Sequence, residues 1–148
     1  MIASMMIKRL MRSQLAMMSQ DHIDTDALLK TWADDCAYDF PSDFGVGETV
    51  KGKKAIAEWF HKWEKEVPKR KFEMKDVAFA AWPLMPTNVC MVNWTLTETN
   101  KEGKEFRYEG SSVCYMKGFK MVRGSDYISF KGLPPISSLI KPTGKVQA

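Results

Sequence analysis

The second half of the chain contains four strand-like segments separated by turn signals, and this pattern constrains the fold more than any other. The segments are rich in β-branched and aromatic residues, which favour strands. Pro83 ends the first segment, and Gly103 and Gly118 supply turns after the second and third. Strands joined by short turns pair antiparallel, so the pattern predicts a meander of long strands. The four segments cover residues 72–82, 89–99, 105–116 and 121–130.

The first half of the chain begins with two helical patterns. Between Met6 and Met18 the apolar residues recur at helical spacing, and the basic residues take the opposite side. A second, short helix begins near Asp24 or Thr25, either of which can cap it. The second helix is predicted to carry Leu28, Leu29 and Trp32.

A short strand and a loop separate these helices from a third one. The strand covers residues 36–40, and Pro41 opens a loop that continues to Val50. The third helix starts after Gly52 and stops at Pro68, which cannot continue a helix. Its apolar positions form one continuous stripe. The stripe consists of Ile56, Trp59, Phe60, Trp63 and Val67.

Helices followed by a run of strands are typical of an α+β fold. At 148 residues the chain has the usual size of one domain, and we expect a single domain over residues 1–148. An antiparallel sheet of this length can coil around the stripe of the third helix. Such an arrangement leaves a cavity open at one end.

Composition limits the kinds of site that the chain can build. The three cysteines Cys36, Cys90 and Cys114 cannot all pair and form no C-x-x-C motif, which favours free thiols in a reducing, cytoplasmic compartment. With two histidines the chain is poor in metal ligands, so we expect neither a metal site nor a cofactor.

Charge and hydropathy bear on partners. The net charge is +4, and many of the cations lie between Lys51 and Lys71 together with three glutamates. Mixed signs favour a solvated helix face over a nucleic-acid site, although a surface for an acidic partner stays open. No run approaches the roughly 18 apolar residues of a membrane span. The basic stretch before Asp21 also resembles a mitochondrial presequence, which is the alternative to an ordinary first helix.

Three stretches resemble the SnoaL-like, nuclear-transport-factor-2-like superfamily. They are residues 28–41, 52–56 and 121–127, which look like the family's helix, acidic pair and first strand, its glycine-started third helix, and its last strand. The resemblance runs over residues 5–130 and makes the stretch from Met6 to Met18 the first helix of the core. It implies three N-terminal helices on a strongly curved, mainly antiparallel sheet that forms a cone with a central pocket. Residues 131–148 are then a loosely packed tail.

The superfamily contains polyketide cyclases, ketosteroid isomerases, limonene-epoxide hydrolases and modules without catalysis. Asp126 stands where the hydrolases have one catalytic aspartate, but Asn93 and Thr95 stand where they have an arginine and a second aspartate. Phe40 and Ser112 stand where the isomerases have their two carboxyls. The resemblance therefore supports neither mechanism. Tyr38 matches a pocket tyrosine of the hydrolases.

The inner face of the sheet holds the candidate site. Side chains alternate along a strand, so an inward Asp126 shares its row with Val122, Gly124 and Ile128. A carboxyl in such an apolar row has a raised pKa, as a general acid or base requires. The alternative is an aspartate that pairs with a cation or caps a turn. The same alternation predicts further inward ligand-binding residues opposite Tyr38, namely Asn93, Thr95, Ser112 and Cys114.

The leading hypothesis is a cofactor-free lyase or isomerase that acts on a small apolar cyclic molecule. Asp126 is predicted to move a proton, and Tyr38 and Asn93 to hold an oxygen. The competing hypothesis is a ligand-binding or dimerisation module without catalysis. The pocket wall is predicted to consist of Phe40, Trp59, Phe60 and Trp63.

The outer face of the sheet is predicted to form a dimer. An apolar patch on the convex face is rarely left in contact with water. Members of the superfamily dimerise through this face, which implies a symmetric homodimer. The predicted patch consists of Val92, Trp94, Leu96, Val113 and Tyr115.

Overall fold

The computed structural model describes residues 2–40, 49–80 and 87–129. Three α-helices precede or interrupt the strands, and a short 3-10 helix, Leu29–Thr31, follows the second of them. The helices are α1 (Ile2–Met18), α2 (Thr25–Leu28) and α3 (Lys53–Glu66). The strands are β1 (Trp32–Asp39), β2 (Thr49–Lys51), β3 (Lys69–Ala80), β4 (Thr87–Thr99), β5 (Glu105–Lys117) and β6 (Lys120–Ser129).

The elements differ from the sequence-based prediction mainly around the first strand. The side chain of Asp24 caps α2 by accepting a hydrogen bond from the N–H of Ala27 at 3.0 Å. Trp32, which was predicted to lie in the second helix, is the first residue of β1. The short strand β2 lies at the end of the predicted loop, where Val50 pairs with Tyr38 and is buried. The rest of that loop, residues 41–48, and the predicted tail, residues 131–148, lie outside the described residues.

The six strands form one mixed, mostly antiparallel sheet in the order β2-β1-β6-β5-β4-β3. The sheet is curved and does not close. The predicted meander is confirmed, because β3, β4, β5 and β6 pair antiparallel in sequence order. The pair β1–β6 is parallel and joins the first strand to the last.

The core lies between the concave face of the sheet and the helices. Ile56 and Phe60 of α3 are buried there, as the apolar stripe predicts. Arg70 of β3 is also buried, and its guanidinium donates to the carbonyl oxygens of Met18, Gln20 and Val67. It therefore ties the ends of α1 and α3 to the sheet. Arg70 belongs to the stretch predicted to be a solvated basic face, and for this residue the prediction is wrong.

The face of β4 that points inward is opposite to the one predicted. Val92, Trp94 and Leu96 are buried on the concave side, whereas Asn93 is exposed. The alternation of bulky apolar residues with polar ones along β4 explains this orientation, because the apolar row removes the larger area from water. The convex patch predicted for a dimer is therefore wrong at three of its members. Tyr115 does lie outside and is 42% exposed.

No helix within residues 2–40, 49–80 and 87–129 is long and apolar enough to cross a membrane.

Two glycines allow aromatic side chains to lie directly on the inner face of the sheet. A Cβ at Gly124 would lie 2.2 Å from the ring of Tyr38, and a Cβ at Gly110 would lie 2.3 Å from the ring of Trp94. Neighbouring side chains never approach so closely without movement. Both positions thus require glycine so that these rings can occupy their places.

We predict that Gly124→Ala displaces Tyr38 and lowers the free energy of unfolding by about 1–3 kcal/mol, as is usual for overpacking. Chemical denaturation measures this change. The matched control is the same substitution in a Tyr38→Ala background, where the space is open and the cost should nearly vanish. An equal cost in both backgrounds would contradict the close contact.

Candidate functional site

A cavity of about 410 Å³ lies between the concave face of the sheet and the helices α1 and α3. All four residues predicted for its wall contact the cavity, and so do Tyr38, Ser112, Cys114 and Asp126. Lys62 and Glu66 of α3 also line it and are exposed, so they mark its rim. A cavity of this size holds a small organic molecule.

Aromatic rings form most of the apolar wall. Phe40 and Trp59 stack with ring centroids 3.4 Å apart, and Trp59 lies 5.7 Å from Trp63. Trp32 stacks on Tyr38 at 5.3 Å and fixes its ring from the side. These contacts hold the wall rigid, since each ring is limited by its neighbours.

Asp126 is the polar centre of the inner end of the cavity. The Tyr38 hydroxyl donates to its Oδ1 at 2.6 Å, and the Ser112 hydroxyl donates to the same oxygen at 2.6 Å. Ser112 in turn accepts a hydrogen bond from Nε1 of Trp94 at 2.9 Å. The chain of donors runs from the indole through the serine to the carboxylate.

Strand register explains why these side chains meet. Ser112 lies directly opposite Asp126 in the antiparallel pair β5–β6. Tyr38 lies opposite Gly124 in the parallel pair β1–β6, and Gly124 lies two residues before Asp126. Side chains two residues apart share a face, so all three groups converge on the concave side.

The environment raises the pKa of Asp126 to about 6. Burial is the main cause, because the apolar wall desolvates the charged form, and the hydrogen bonds from Ser112 and Tyr38 oppose it. Burial also raises the pKa of Tyr38, and the neighbouring charge of Asp126 adds to this effect. Tyr38 is therefore a neutral hydrogen-bond donor near pH 7.

Cys114 contacts the cavity, but its chemistry there is limited. Burial and the nearby charge of Asp126 raise the pKa of the thiol, which keeps it protonated. Neither histidine is close to it in the wall of the cavity. Cys114 lies on the inner face of the sheet, as the sequence predicts.

Two of the residues predicted to bind a ligand lie elsewhere. Asn93 is exposed on the other face of β4, where its Oδ1 accepts a hydrogen bond from Ser111 at 2.7 Å. Thr95 is buried but does not line the cavity. On β6, a register shift beside Val122 turns Met121 rather than Val122 into the cavity. Asn93 and Thr95 lie elsewhere because β4 turns the opposite face inward from the one predicted.

A second carboxyl lies in the cavity wall, and the sequence analysis missed it. Glu98 lines the cavity and is 7% exposed, and its Oε1 accepts a hydrogen bond from Nε1 of Trp63 at 3.0 Å. Tyr108 also donates to Glu98. The signal was present, because Glu98 continues the inward row of Val92, Trp94 and Leu96 at the spacing of two.

Apart from Glu66 at the rim, the other acids and histidines of the described residues lie outside the cavity. Asp39 faces away from Tyr38 and accepts hydrogen bonds from Thr49, Ser125 and Arg123, which lower its pKa. His61 is exposed, as predicted from its place off the helix stripe. Among the described residues, no group of three or more His, Cys, Asp or Glu side chains is arranged to hold a metal ion.

Comparison with known sequences identifies one family. The family model for the SnoaL-like domain matches residues 14–124, which is well over half of the chain. No curated protein sequence gives a significant match.

Solved structures with the same fold are numerous but distant in sequence. A type 2 hexachlorocyclohexane dehydrochlorinase, LinA, is 13% identical with a TM-score of 0.72, and the match covers 86% of this chain and 86% of that one. A candidate scytalone dehydratase from Novosphingobium aromaticivorans is 9% identical with a TM-score of 0.72 over 86% of this chain and 85% of that one. An NTF2-like protein of unknown function from Burkholderia pseudomallei is 13% identical with a TM-score of 0.70 over 84% and 91%. These likenesses show the shared cone-like fold.

We predict that Asp126 makes the protein less stable as the pH rises. Its pKa is about 6 in the folded state, against about 3.9 for a free side chain, so between these values the folded state holds the extra proton. The free energy of unfolding should therefore fall between pH 4 and pH 7 by up to about 3 kcal/mol from this group alone.

Denaturation of the wild type and of Asp126→Asn across this pH range measures the effect, and the difference between them isolates Asp126 from Glu98. NMR titration of the Asp126 carboxyl gives its pKa directly. A pKa at or below the free value, or a stability difference that does not change with pH, would contradict the desolvated site.

Proposed function

The chain belongs to the SnoaL-like domain family, and we propose that it is a cofactor-free lyase or isomerase acting on a small, apolar, cyclic molecule. The observation that carries the proposal is a carboxyl with a pKa of about 6 in the wall of an apolar cavity. A general base that is ionised near neutral pH and retains affinity for a proton has this property.

In the proposed reaction, Asp126 takes a proton from carbon. In an isomerisation it returns this proton to another atom of the substrate. In an elimination the C–H electron pair forms the new double bond, the departing group leaves with its own bonding pair, and Asp126 passes the proton to that group. The hydrogen bonds from Tyr38 and Ser112 both reach Oδ1, so Oδ2 is the oxygen that accepts the proton. Tyr38 and Ser112 hold the carboxylate in one orientation during both steps. Ser112 takes the place that Asn93 had in the sequence-based hypothesis.

The aromatic wall contributes by excluding water. Phe40, Trp59 and Trp63 offer flat apolar surfaces on which a ring can stack. A carboxylate without water around it is a stronger base, because its charge is less well solvated. The shape and chemistry of this wall support a flat, apolar substrate.

The names of two structural neighbours agree with an elimination. One is a dehydrochlorinase and the other a candidate dehydratase, and both names describe the loss of a small molecule from a carbon skeleton. Such reactions need a positioned base and no change in oxidation state. At 13% and 9% identity the neighbours support the class of reaction and give no substrate.

A ligand-binding module without catalysis is the second candidate, and one observation favours it. Oδ1 of Asp126 already accepts two hydrogen bonds within the protein, as a carboxyl with a structural role would. In this alternative, the carboxyl fixes Tyr38 and Ser112, and the cavity only binds. Proton exchange on a bound ligand separates the two candidates.

We predict that the wild-type protein accelerates deuterium exchange at the carbon next to the carbonyl of cyclic ketones such as 1-indanone and 2-tetralone in D₂O. Asp126→Asn should slow this exchange by about 10²–10⁴-fold, which is the usual contribution of a general base. The rate should rise as the pH passes about 6, because the ionised form is the base. Proton NMR follows the loss of the signal.

Asp39→Asn is the matched control, since Asp39 lies outside the cavity. It should leave the exchange rate within about twofold of the wild type, whereas a general base is worth at least 10². Exchange that is equally fast in Asp126→Asn would rule out Asp126 as the base. Ketones that bind without any exchange would support the binding module instead.

The proposed compartment is the reducing cytoplasm. Cys36, Cys90 and Cys114 are all free and buried, which supports this proposal.

We propose that the homodimer forms through the convex face of the sheet, with partly different residues from those of the predicted patch. Met91 of β4, Val113 and Tyr115 of β5, and Tyr127 of β6 lie on the outer side of neighbouring strands. Three of them are exposed to 41–61%, as apolar side chains of an interface are before association. The contact joins two copies of the same face by a twofold axis.

We predict that the protein sediments as a dimer at micromolar concentration and that Tyr115→Lys shifts it towards the monomer. A charge buried in the contact without a partner disfavours association. Phe119→Lys is the control, because Phe119 is 64% exposed in the turn between β5 and β6 and lies outside the face. A wild-type monomer, or equal effects of the two lysines, would contradict the proposed contact.

A further inference from the structure

The proposed reaction does not use the second carboxyl of the cavity. Glu98 is the last member of the inward row of β4 and is buried against Trp63 and Tyr108. A carboxylate offers about four acceptor positions, and these two donors occupy only part of them. The group therefore retains capacity for a hydrogen bond from a molecule in the cavity that it lines.

Among residues 2–40, 49–80 and 87–129, no ion pair accounts for a charged group at this position. Arg70 is the cation whose charge acts on Glu98. Its guanidinium, however, donates to the carbonyl oxygens of Met18, Gln20 and Val67, and it lies over the ring of Trp63 at 5.3 Å. Arg70 thus lowers the cost of a buried carboxylate without occupying its oxygens.

A purely structural role for Glu98 is the alternative. In that role its carboxyl only fixes the rings of Trp63 and Tyr108, and an amide of the same shape would serve almost as well. Burial raises the pKa of Glu98, so retaining an acid here costs stability. Because the side chain lines the cavity, a ligand that donates a hydrogen bond to Glu98 can offset the cost of desolvating its carboxylate. Contacts with apolar side chains cannot offset this cost.

The two carboxyls occupy different levels of the cavity. Ser112, which holds Asp126, lies opposite Val92 on β4, and Glu98 follows six residues later on the same strand. This is a separation of about 20 Å along an extended strand. Tyr108 lies between these levels, opposite Leu96, and the charges of both Glu98 and Asp126 act on it.

We propose that Glu98 is a second ligand-binding residue and that the cavity takes ring molecules with a hydrogen-bond donor, a hydroxyl or an amine, at each end. One donor binds at Asp126 and the other at Glu98, with the aromatic wall around the rings between them. The proposal rests on the proposed function in that Asp126 contacts the ligand, but it concerns ligand binding and not catalysis.

Two matched pairs of probes test the proposal, and the members of each pair differ by one hydroxyl. The rigid pair is 4-hydroxybiphenyl and 4,4′-dihydroxybiphenyl, and the flexible pair is 4-benzylphenol and 4,4′-dihydroxydiphenylmethane. Isothermal titration calorimetry gives the affinities for the wild type, Glu98→Gln, Asp126→Asn and the control Glu58→Gln, whose side chain is exposed on α3 outside the cavity.

In the wild type and in Glu58→Gln, the second hydroxyl should improve the affinity about tenfold or more in at least one pair, as a hydrogen bond to a charged group does. In Glu98→Gln and in Asp126→Asn one acid remains, so the two members should bind equally within the statistical factor of about two. This expectation holds whichever end the single hydroxyl prefers.

A readout in the unsubstituted protein protects the test against a variant that folds poorly. The indole Nε1–H signal of Trp63, which donates to Glu98, should shift more with each dihydroxy probe than with its partner. Trp63→Phe assigns the signal.

A second hydroxyl that adds nothing in the wild type for either pair, or a tenfold gain that survives Glu98→Gln, would overturn the proposal. The affinity gain from the second hydroxyl can disappear in Glu98→Gln even though Asp126→Asn catalyses deuterium exchange of the ketones as fast as the wild type. That result would uphold Glu98 and reject the proposed catalysis.

Discussion

The hydrogen bond between Tyr38 and Asp126 depends on the parallel pairing of β1 with β6, which is the single parallel strand pair among the described residues. The two residues are 88 positions apart, and their oxygens meet at 2.6 Å because β1 lies beside β6. Gly124 leaves the space in which the ring of Tyr38 reaches the carboxylate. β6 also pairs with β5, which places Ser112 directly opposite Asp126. The neighbours of this one strand therefore supply both hydrogen-bond donors of Asp126.

Much of this arrangement could be predicted from the sequence because it follows local periodicity. The stripe of α3 predicted the positions of Trp59, Phe60 and Trp63, and the glycine turns predicted the hairpins. The three-residue strand β2 was missed because so short a segment has no periodicity to detect. The parallel pairing of β1 with β6 is a contact between distant segments, which local periodicity does not indicate.

The orientation of β4 was the main error, and its cause is physical. The resemblance to hydrolases suggested that Asn93 and Thr95 point inward, whereas the alternation of Val92, Trp94 and Leu96 favours the opposite face. Burial of the larger apolar area determined the outcome. A strand reversed by one residue exchanges every side chain, so the same error hid Glu98 from the cavity and placed an apolar patch on the outside.

Two carboxyls in one apolar cavity are not equivalent. Burial raises the pKa of both, but the charge of Arg70 favours the ionised form of Glu98, whereas hydrogen bonds alone oppose burial at Asp126. Asp126 is therefore the group whose protonation responds most freely to a bound molecule. A ligand that donates a hydrogen bond to Asp126 offsets part of its desolvation and lowers its pKa, so the protonation of the base depends on what the cavity holds.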